Sequence, residues 1–324
     1  YFTFLFLISY FCCFKVLSLT INDAIANIVH AKIYSNISSV HEFLRRGYYM
    51  EKELQITKVE SYIISLMDKL PILSYYANSR GWTFLISWGH RLAGLTLVGY
   101  MFAHIYTLSL LFNPAAFDAD MKFLHNFVFS FLEWCVAIPL IFHSLNGGRL
   151  ILYELFHVRE EEMVIRLMTI IGFLYIFIVG FFFIEEARQV SATLFWSITF
   201  IVSLIACFII LFKVWVTNNS ILWKLQRITG AFMFPMLIGH MFFMHMNYLT
   251  GHDSKTILER IQNPFIKGMD FVFVVLLFFH AGYGLFSIIT DYIKPGLLLK
   301  SLTFLIIIAM AISTFFGIRI VFAL

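Results

Sequence analysis

The stretch SWGHRLAGLTLVGYMFAHIYTLSLLF, Ser87 to Phe112, decides the fold. From Leu92 onward it carries no Asp, Glu, Lys or Arg. A helix needs roughly 20 such apolar residues to cross a bilayer. A histidine, His104, sits deep within the run, 13 residues beyond Arg91. An ionisable side chain placed in hydrocarbon is costly, and its default reading is functional.

Runs of the same kind recur along the chain. Seven spans are expected: A near 82–112, B near 123–153, C near 164–184, D near 191–213, E near 222–250, F near 268–291 and G near 298–322. Composition agrees, because 60% of the 324 residues are hydrophobic and only 13% are charged. A soluble domain has about 25% charged residues. The expected fold class is therefore all-α integral membrane protein with about seven transmembrane helices. A net charge of +4, scattered over the loops, offers no basic stripe for nucleic acid. Cys12, Cys13, Cys135 and Cys207 lie in apolar runs, without the spacing of a disulfide framework or a metal site. Residues 1–20 are apolar but carry Lys15, and could be an eighth span, a signal-like segment or a surface helix. Residues 21–80, with Arg45, Arg46, Lys52, Lys58 and Lys69, read as an extramembrane lead-in suited to docking on a partner. Positive residues in the B–C, D–E and F–G connections place those loops and the lead-in on the inner side, although Lys255, Arg260 and Lys267 in E–F dissent.

A repeat runs through these spans. Arg91-Leu-Ala-Gly94, His104, then His143 and Gly147 correspond to Arg227-Ile-Thr-Gly230, His240, then His280 and Gly284. The offset is 136 residues for the first three matches and 137 for the last two. Spans A–C form one unit and E–G the other. Two three-span units of the same orientation need one extra crossing between them, which D supplies. The expected organisation is a lead-in at 1–80, a first three-helix repeat at 81–186, a linker helix at 187–217 and a second repeat at 218–324.

Four intramembrane histidines at repeating positions point to metal ligation rather than to isolated helix contacts. Two opposed imidazoles from different helices are the usual axial set of a six-coordinate b-type haem. His104 and His240 lie about 20 Å outward of Arg91 and Arg227, at 1.5 Å rise per residue. His143 and His280 return towards the inner side, about 9 Å before Arg149 and about 16 Å before Asp291. Depth and symmetry together pair His143 with His280 and His104 with His240. Gly147 and Gly284, a turn beyond the inner histidines, either leave room for a porphyrin edge or permit close helix packing. His245 reads as a helix contact, and His90 as a neighbour of a haem propionate or quinone. His30, His41, His125, His157 and His252 read as solvated.

These residues resemble a known family. Ser87-Trp-Gly-His90-Arg91-Leu-Ala-Gly94 is similar to the S-x-x-H-R-x-x-G segment opening the large cytochrome b subunit of succinate dehydrogenase. Trp134 with His143-Ser-Leu-Asn-Gly147-Gly-Arg149 resembles its second helix. His280-Ala-Gly-Tyr-Gly284 and Asp291-Tyr292 resemble the small anchor subunit, and Ile238-Gly-His240-Met-Phe-Phe resembles the first haem helix of dihaem fumarate reductase anchors. Leu150 departs from the pattern, since the family often has histidine there. The resemblance implies a fused anchor of a succinate:quinone or quinol:fumarate oxidoreductase. It implies two haem b groups, one at minimum, and partners that are an iron–sulfur subunit and a flavoprotein. Ser87, Arg91, Asp291 and Tyr292 then line an inner quinone site. Glu133, ten residues before His143, could serve an outer quinone site or a proton path. A dihaem anchor favours a bacterial cytoplasmic membrane over a mitochondrial inner membrane. Competing readings are the haem b anchor of another respiratory dehydrogenase, and a duplicated-repeat transporter that uses the histidines as proton relays.

Overall fold

The computed structural model describes residues 82–124, 126–158, 192–245 and 253–324, with isolated positions between 159 and 191. The chain divides into two compact units, residues 1–86 with 156–159, and residues 87–155 with 160–324. In the first unit the described residues are the opening of one helix and the end of another. The second unit holds nearly all of the described residues.

Its helices follow directly from local chemistry. α1 (Trp82–Ser109) runs into a 3-10 turn at Leu110–Phe112, and α2 (Pro114–Leu124) then starts on proline. Proline suits that position because its missing N–H has no helical partner there. α3 (Phe127–Phe156) is capped by Asn126, whose side-chain oxygen accepts from the amides of Val128 and Phe129 at 3.0 and 3.2 Å. α4 (Ala192–Trp215) is followed by α5 (Ile221–His240), which Ser220 caps by accepting from the Trp223 amide. Pro235 removes one ladder hydrogen bond inside α5. The helix then opens into a π turn at Met241–His245. α6 (Ser254–Ile261), α7 (Pro264–Tyr292) and α8 (Leu297–Ala323) complete the described chain, with Asp253 and Asn263 capping α6 and α7.

No strand occurs among the described residues, and five segments are long and apolar enough to cross a membrane. They are Phe84–Phe112, Trp134–Phe156, Leu194–Trp215, Pro264–Tyr292 and Leu297–Ala323. These match expected spans A, B, D, F and G. Most of their apolar side chains point outward, as with Phe212, Ile307 and Phe315, which is the arrangement expected in lipid. Span E is a helix, α5, but Lys224, Gln226 and Arg227 in its first two turns lower its apolarity. Span C lies outside the described residues apart from isolated helical positions.

Packing brings α1, α3, α5 and α7 together. Ala137, Leu140 and Ile141 of α3 join Met241 beyond α5, with Leu97 of α1 against them. About one turn farther along α1, Met101 meets Phe278 of α7 and Met310 of α8. α4 lies along α5 and α8 along α7. Glycine sets two of these approaches. A Cβ on Gly239 would stand 2.6 Å from Thr199 Cγ2 on α4, and one on Gly317 would stand 2.8 Å from Val274 Cγ1. Membrane helices use small residues in this way, because close van der Waals contact rather than water exclusion holds them together. The short helices α2 and α6 meet through Leu111, Phe117, Met121, Ile257 and Ile261. Asp118 ties them by accepting from the Ser254 amide and hydroxyl.

Candidate functional site

Each of the four central helices contributes one of the predicted histidines, and the structure brings them together as two pairs. His143 on α3 faces His280 on α7, with ring centroids 6.3 Å apart and planes at 86°. His104 on α1 faces His240 on α5, at 5.9 Å and 90°. Imidazole nitrogens each about 2 Å from a shared metal, with centroids about 1 Å farther back, would put the centroids about 6 Å apart. Both pairs have that spacing. Among the described residues no group of three or more His, Cys, Asp or Glu could hold a metal ion. Two-ligand sites suit an iron whose other four positions are filled by a macrocycle.

The rings of the His143–His280 pair are fixed from behind. His143 Nδ1 lies 3.2 Å from the His90 carbonyl oxygen. A carbonyl only accepts, so the hydrogen is on Nδ1 and the Nε2 lone pair is left for a metal. His280 Nδ1 lies 3.2 Å from Thr229 Oγ1. That hydroxyl also lies 2.9 Å from the Leu225 carbonyl, to which it donates, so it accepts from His280. The same tautomer results. Such outer contacts orient metal-binding imidazoles and raise their basicity.

His90 stacks on His143, with centroids 4.0 Å apart and planes at 5°. Gln226, at the repeat-equivalent position, donates from Nε2 to the His280 carbonyl at 3.2 Å. Buried His90 Nδ1 and Gln226 Oε1 both lack a hydrogen-bond partner. Gly147 and Gly284 face these same two residues, since a Cβ there would touch His90 Cε1 at 3.7 Å and Gln226 Nε2 at 3.8 Å. Two orphaned polar atoms, one on each side of the histidine pair, fit a site that takes a polar-edged ligand.

Around the outer pair the surroundings are aromatic. Tyr100 stacks on His104 at 5.7 Å, while Phe273 and Trp196 approach His240 at 5.7 and 6.5 Å.

The predicted quinone residues assemble in part. Arg91 donates to the Tyr292 hydroxyl and to the Asp291 carboxylate, both at 2.5 Å. Its guanidinium lies 5.4 Å from the Tyr292 ring centre, and Trp88 meets that ring edge-on at 5.9 Å. Ser87 is exposed on α1 and takes no part in these contacts. The sequence reading did not include Trp88.

It also missed a second charge pair. Arg227, the repeat partner of Arg91, donates from Nε and Nη2 to the two oxygens of Glu154, at 3.0 and 2.9 Å, and stacks over Trp223 at 4.2 Å. Glu154 and Asp291 are 137 residues apart, the offset already seen between His143 and His280. Each arginine therefore binds the acid of the other repeat. Tyr292 has Leu155 as its equivalent, so the second cluster has no phenol.

Of the remaining candidates, Glu133 lies on α3 with its side chain outside the described residues. Its repeat equivalent is Asp270, which faces Arg260 of α6; burial pulls the Arg260 guanidinium below its usual value, and Asp270 offsets part of that shift. His157 is exposed at the end of α3. His245 is in the π turn, with its side chain outside the described residues, as are His30, His41, His125 and His252.

The family described as succinate dehydrogenase/fumarate reductase transmembrane subunit matches residues 71–182 and 212–318, about two thirds of the chain. The chain is also similar to a protein of Archaeoglobus fulgidus named succinate dehydrogenase hydrophobic membrane anchor subunit. The two are 28% identical over 106 residues, covering 32% of this chain and 87% of that protein. No solved structure matches.

Proposed function

This chain belongs to the succinate dehydrogenase/fumarate reductase transmembrane-subunit family, and we propose that as the integral membrane anchor of such a complex it carries electrons through haem b between an iron–sulfur subunit and membrane quinone. The observation that carries this reading is the pair of facing histidines, His143 and His280, set 6.3 Å apart on separate helices. His104 and His240 repeat the spacing and would hold a second haem. A flavoprotein subunit would carry the dicarboxylate chemistry. Haem bound at these histidines supplies one-electron redox chemistry.

This chain's own residues account for the rest. Nδ1–H of both inner histidines is occupied by an acceptor, which leaves the Nε2 lone pair of each ring for a metal. At the quinone, a carbonyl oxygen gains negative charge on reduction. Arg91 offers a fixed positive charge, and Tyr292 a hydroxyl that can donate a hydrogen bond. Asp291 holds the guanidinium in place at 2.5 Å and can accept a proton at the same position. Trp88 and the Tyr292 ring provide the flat apolar walls that a planar headgroup needs. Ser87, exposed one residue before Trp88, is a further hydroxyl at the rim.

Family membership displaces the transporter reading. The test is the reduced-minus-oxidised spectrum of the purified complex. A b-type band is expected, and the pyridine haemochrome ratio should give two haems per chain. A complex with no such band would end the haem reading.

A further inference from the structure

The two inner histidines rest in seats built from repeat-equivalent positions, but the second seat adds a side-chain acceptor. A Cβ on Gly94 would stand 3.1 Å from Cε1 of His143, and a Cβ on Gly230 would stand 3.2 Å from Cε1 of His280. Both distances are tighter than ordinary carbon contact, and Cε1 is the ring atom between Nδ1 and Nε2. A methyl group at either position pushes on the ring edge next to Nε2. Both glycines lie inside long helices, where glycine is less favourable than alanine by about 0.5–1 kcal/mol. The space they leave is therefore the reason for them.

The acceptors differ in part. In repeat one the Nδ1–H of His143 meets a main-chain carbonyl, that of His90, locked in the helix. In repeat two the His280 ring has the equivalent main-chain carbonyl, that of Gln226, within reach, and its Nδ1–H also meets the Thr229 side chain, itself tied to the Leu225 carbonyl. Ala93 occupies the position equivalent to Thr229, so repeat one has no hydroxyl there.

Building on the haem reading above, we propose that Gly94, Gly230 and Thr229 are positioning residues for the inner haem, which set the orientation and donor strength of its two axial imidazoles. A hydrogen bond from Nδ1–H strengthens the imidazole as a donor. A stronger donor favours the ferric state, so losing the Thr229 contact raises the midpoint potential of the inner haem alone.

The test uses the whole complex carrying Gly94→Ala, Gly230→Ala, Thr229→Val or Thr229→Ser. Its readouts are redox titration of the b-type bands and the low-spin ferric electron paramagnetic resonance signal. Thr229→Val should raise one midpoint and leave the other, and Thr229→Ser should restore it. Each alanine variant should keep both haems but move the low-spin signal of one. Unmoved midpoints and signals in all variants would overturn the proposal. Should the alanine variants fail to assemble, Thr229→Val, which keeps the side-chain shape, decides by itself. Absence of b-type absorption in the unmodified complex would instead remove the haem reading on which this proposal stands.

Discussion

Glu154 grips Arg227 through both carboxylate oxygens, and the equivalent pair one repeat along, Asp291 with Arg91, meets through one carboxylate oxygen. In each case the arginine opens one half of the molecule and the acid closes the second helix of the other half. One cluster carries a phenol, Tyr292, and the other carries Leu155. The symmetry is thus used twice structurally, and only one copy carries a hydroxyl beside its arginine.

If Arg227 and Glu154 act as a unit, Glu154→Gln and Arg227→Gln should each lower the stability of the complex. Hydrogen bonds to charged groups contribute about 1.5–3 kcal/mol, and the partial exposure of both side chains argues for the lower end. The double variant should cost clearly less than the sum of the single ones in a thermal-melt cycle. Additive losses would show that the two residues are uncoupled.

Tyr292→Phe removes the hydroxyl while keeping the ring over Arg91. Succinate:quinone turnover should fall by about tenfold to a hundredfold, the loss expected from the roughly 1.5–3 kcal/mol of a hydrogen bond to a charged group. Haem content should be unchanged, as should succinate oxidation with a soluble dye that bypasses the anchor. Unimpaired quinone turnover would remove Tyr292 from the site.

The histidine pairs predict which variants share a phenotype. His143→Ala and His280→Ala should each lose the same haem, and His104→Ala and His240→Ala the other, read as a halved pyridine haemochrome value with distinct band shapes. His104→Ala losing the haem that His143→Ala loses would break the pairing.

Gly239 faces Thr199 so closely that a side chain at 239 has no room. Gly239→Ala should destabilise the complex by about 1–3 kcal/mol, the ordinary cost of overpacking. Thr199→Ala in the same chain should recover most of the loss in a thermal melt. Absence of recovery would mean that the strain is relieved elsewhere.

How much of this could be read from the sequence depended on what fixes each feature. The four histidines were legible because an imidazole in an apolar run stands out and a strict spacing doubles it. Their pairing followed from helix direction, depth and the symmetry of the repeat. Asp291 and Tyr292 were found through a motif. Glu154 carries the same repeat offset as His143 and still escaped notice, because an acid at a helix end has an ordinary explanation and its partner is 73 residues away. Thr229 and Gln226 were invisible for another reason. Whether a threonine reaches its neighbour's ring depends on helix rotation, which spacing along one chain does not specify. Trp88 was overlooked in the same way, since only the approach of α7 reveals it.

The crossed arginine–acid contacts have a consequence for how the chain is held together. Neither half satisfies its own arginine, and each facing histidine pair draws one ring from each half. A cut at residues 216–219, between α4 and α5, would break one peptide bond and none of these contacts. Two separately translated fragments, inserted into the same membrane, should find one another as subunits do. The peptide link across α4 then ensures equal numbers of the two halves, while recognition between them is already written in their facing surfaces.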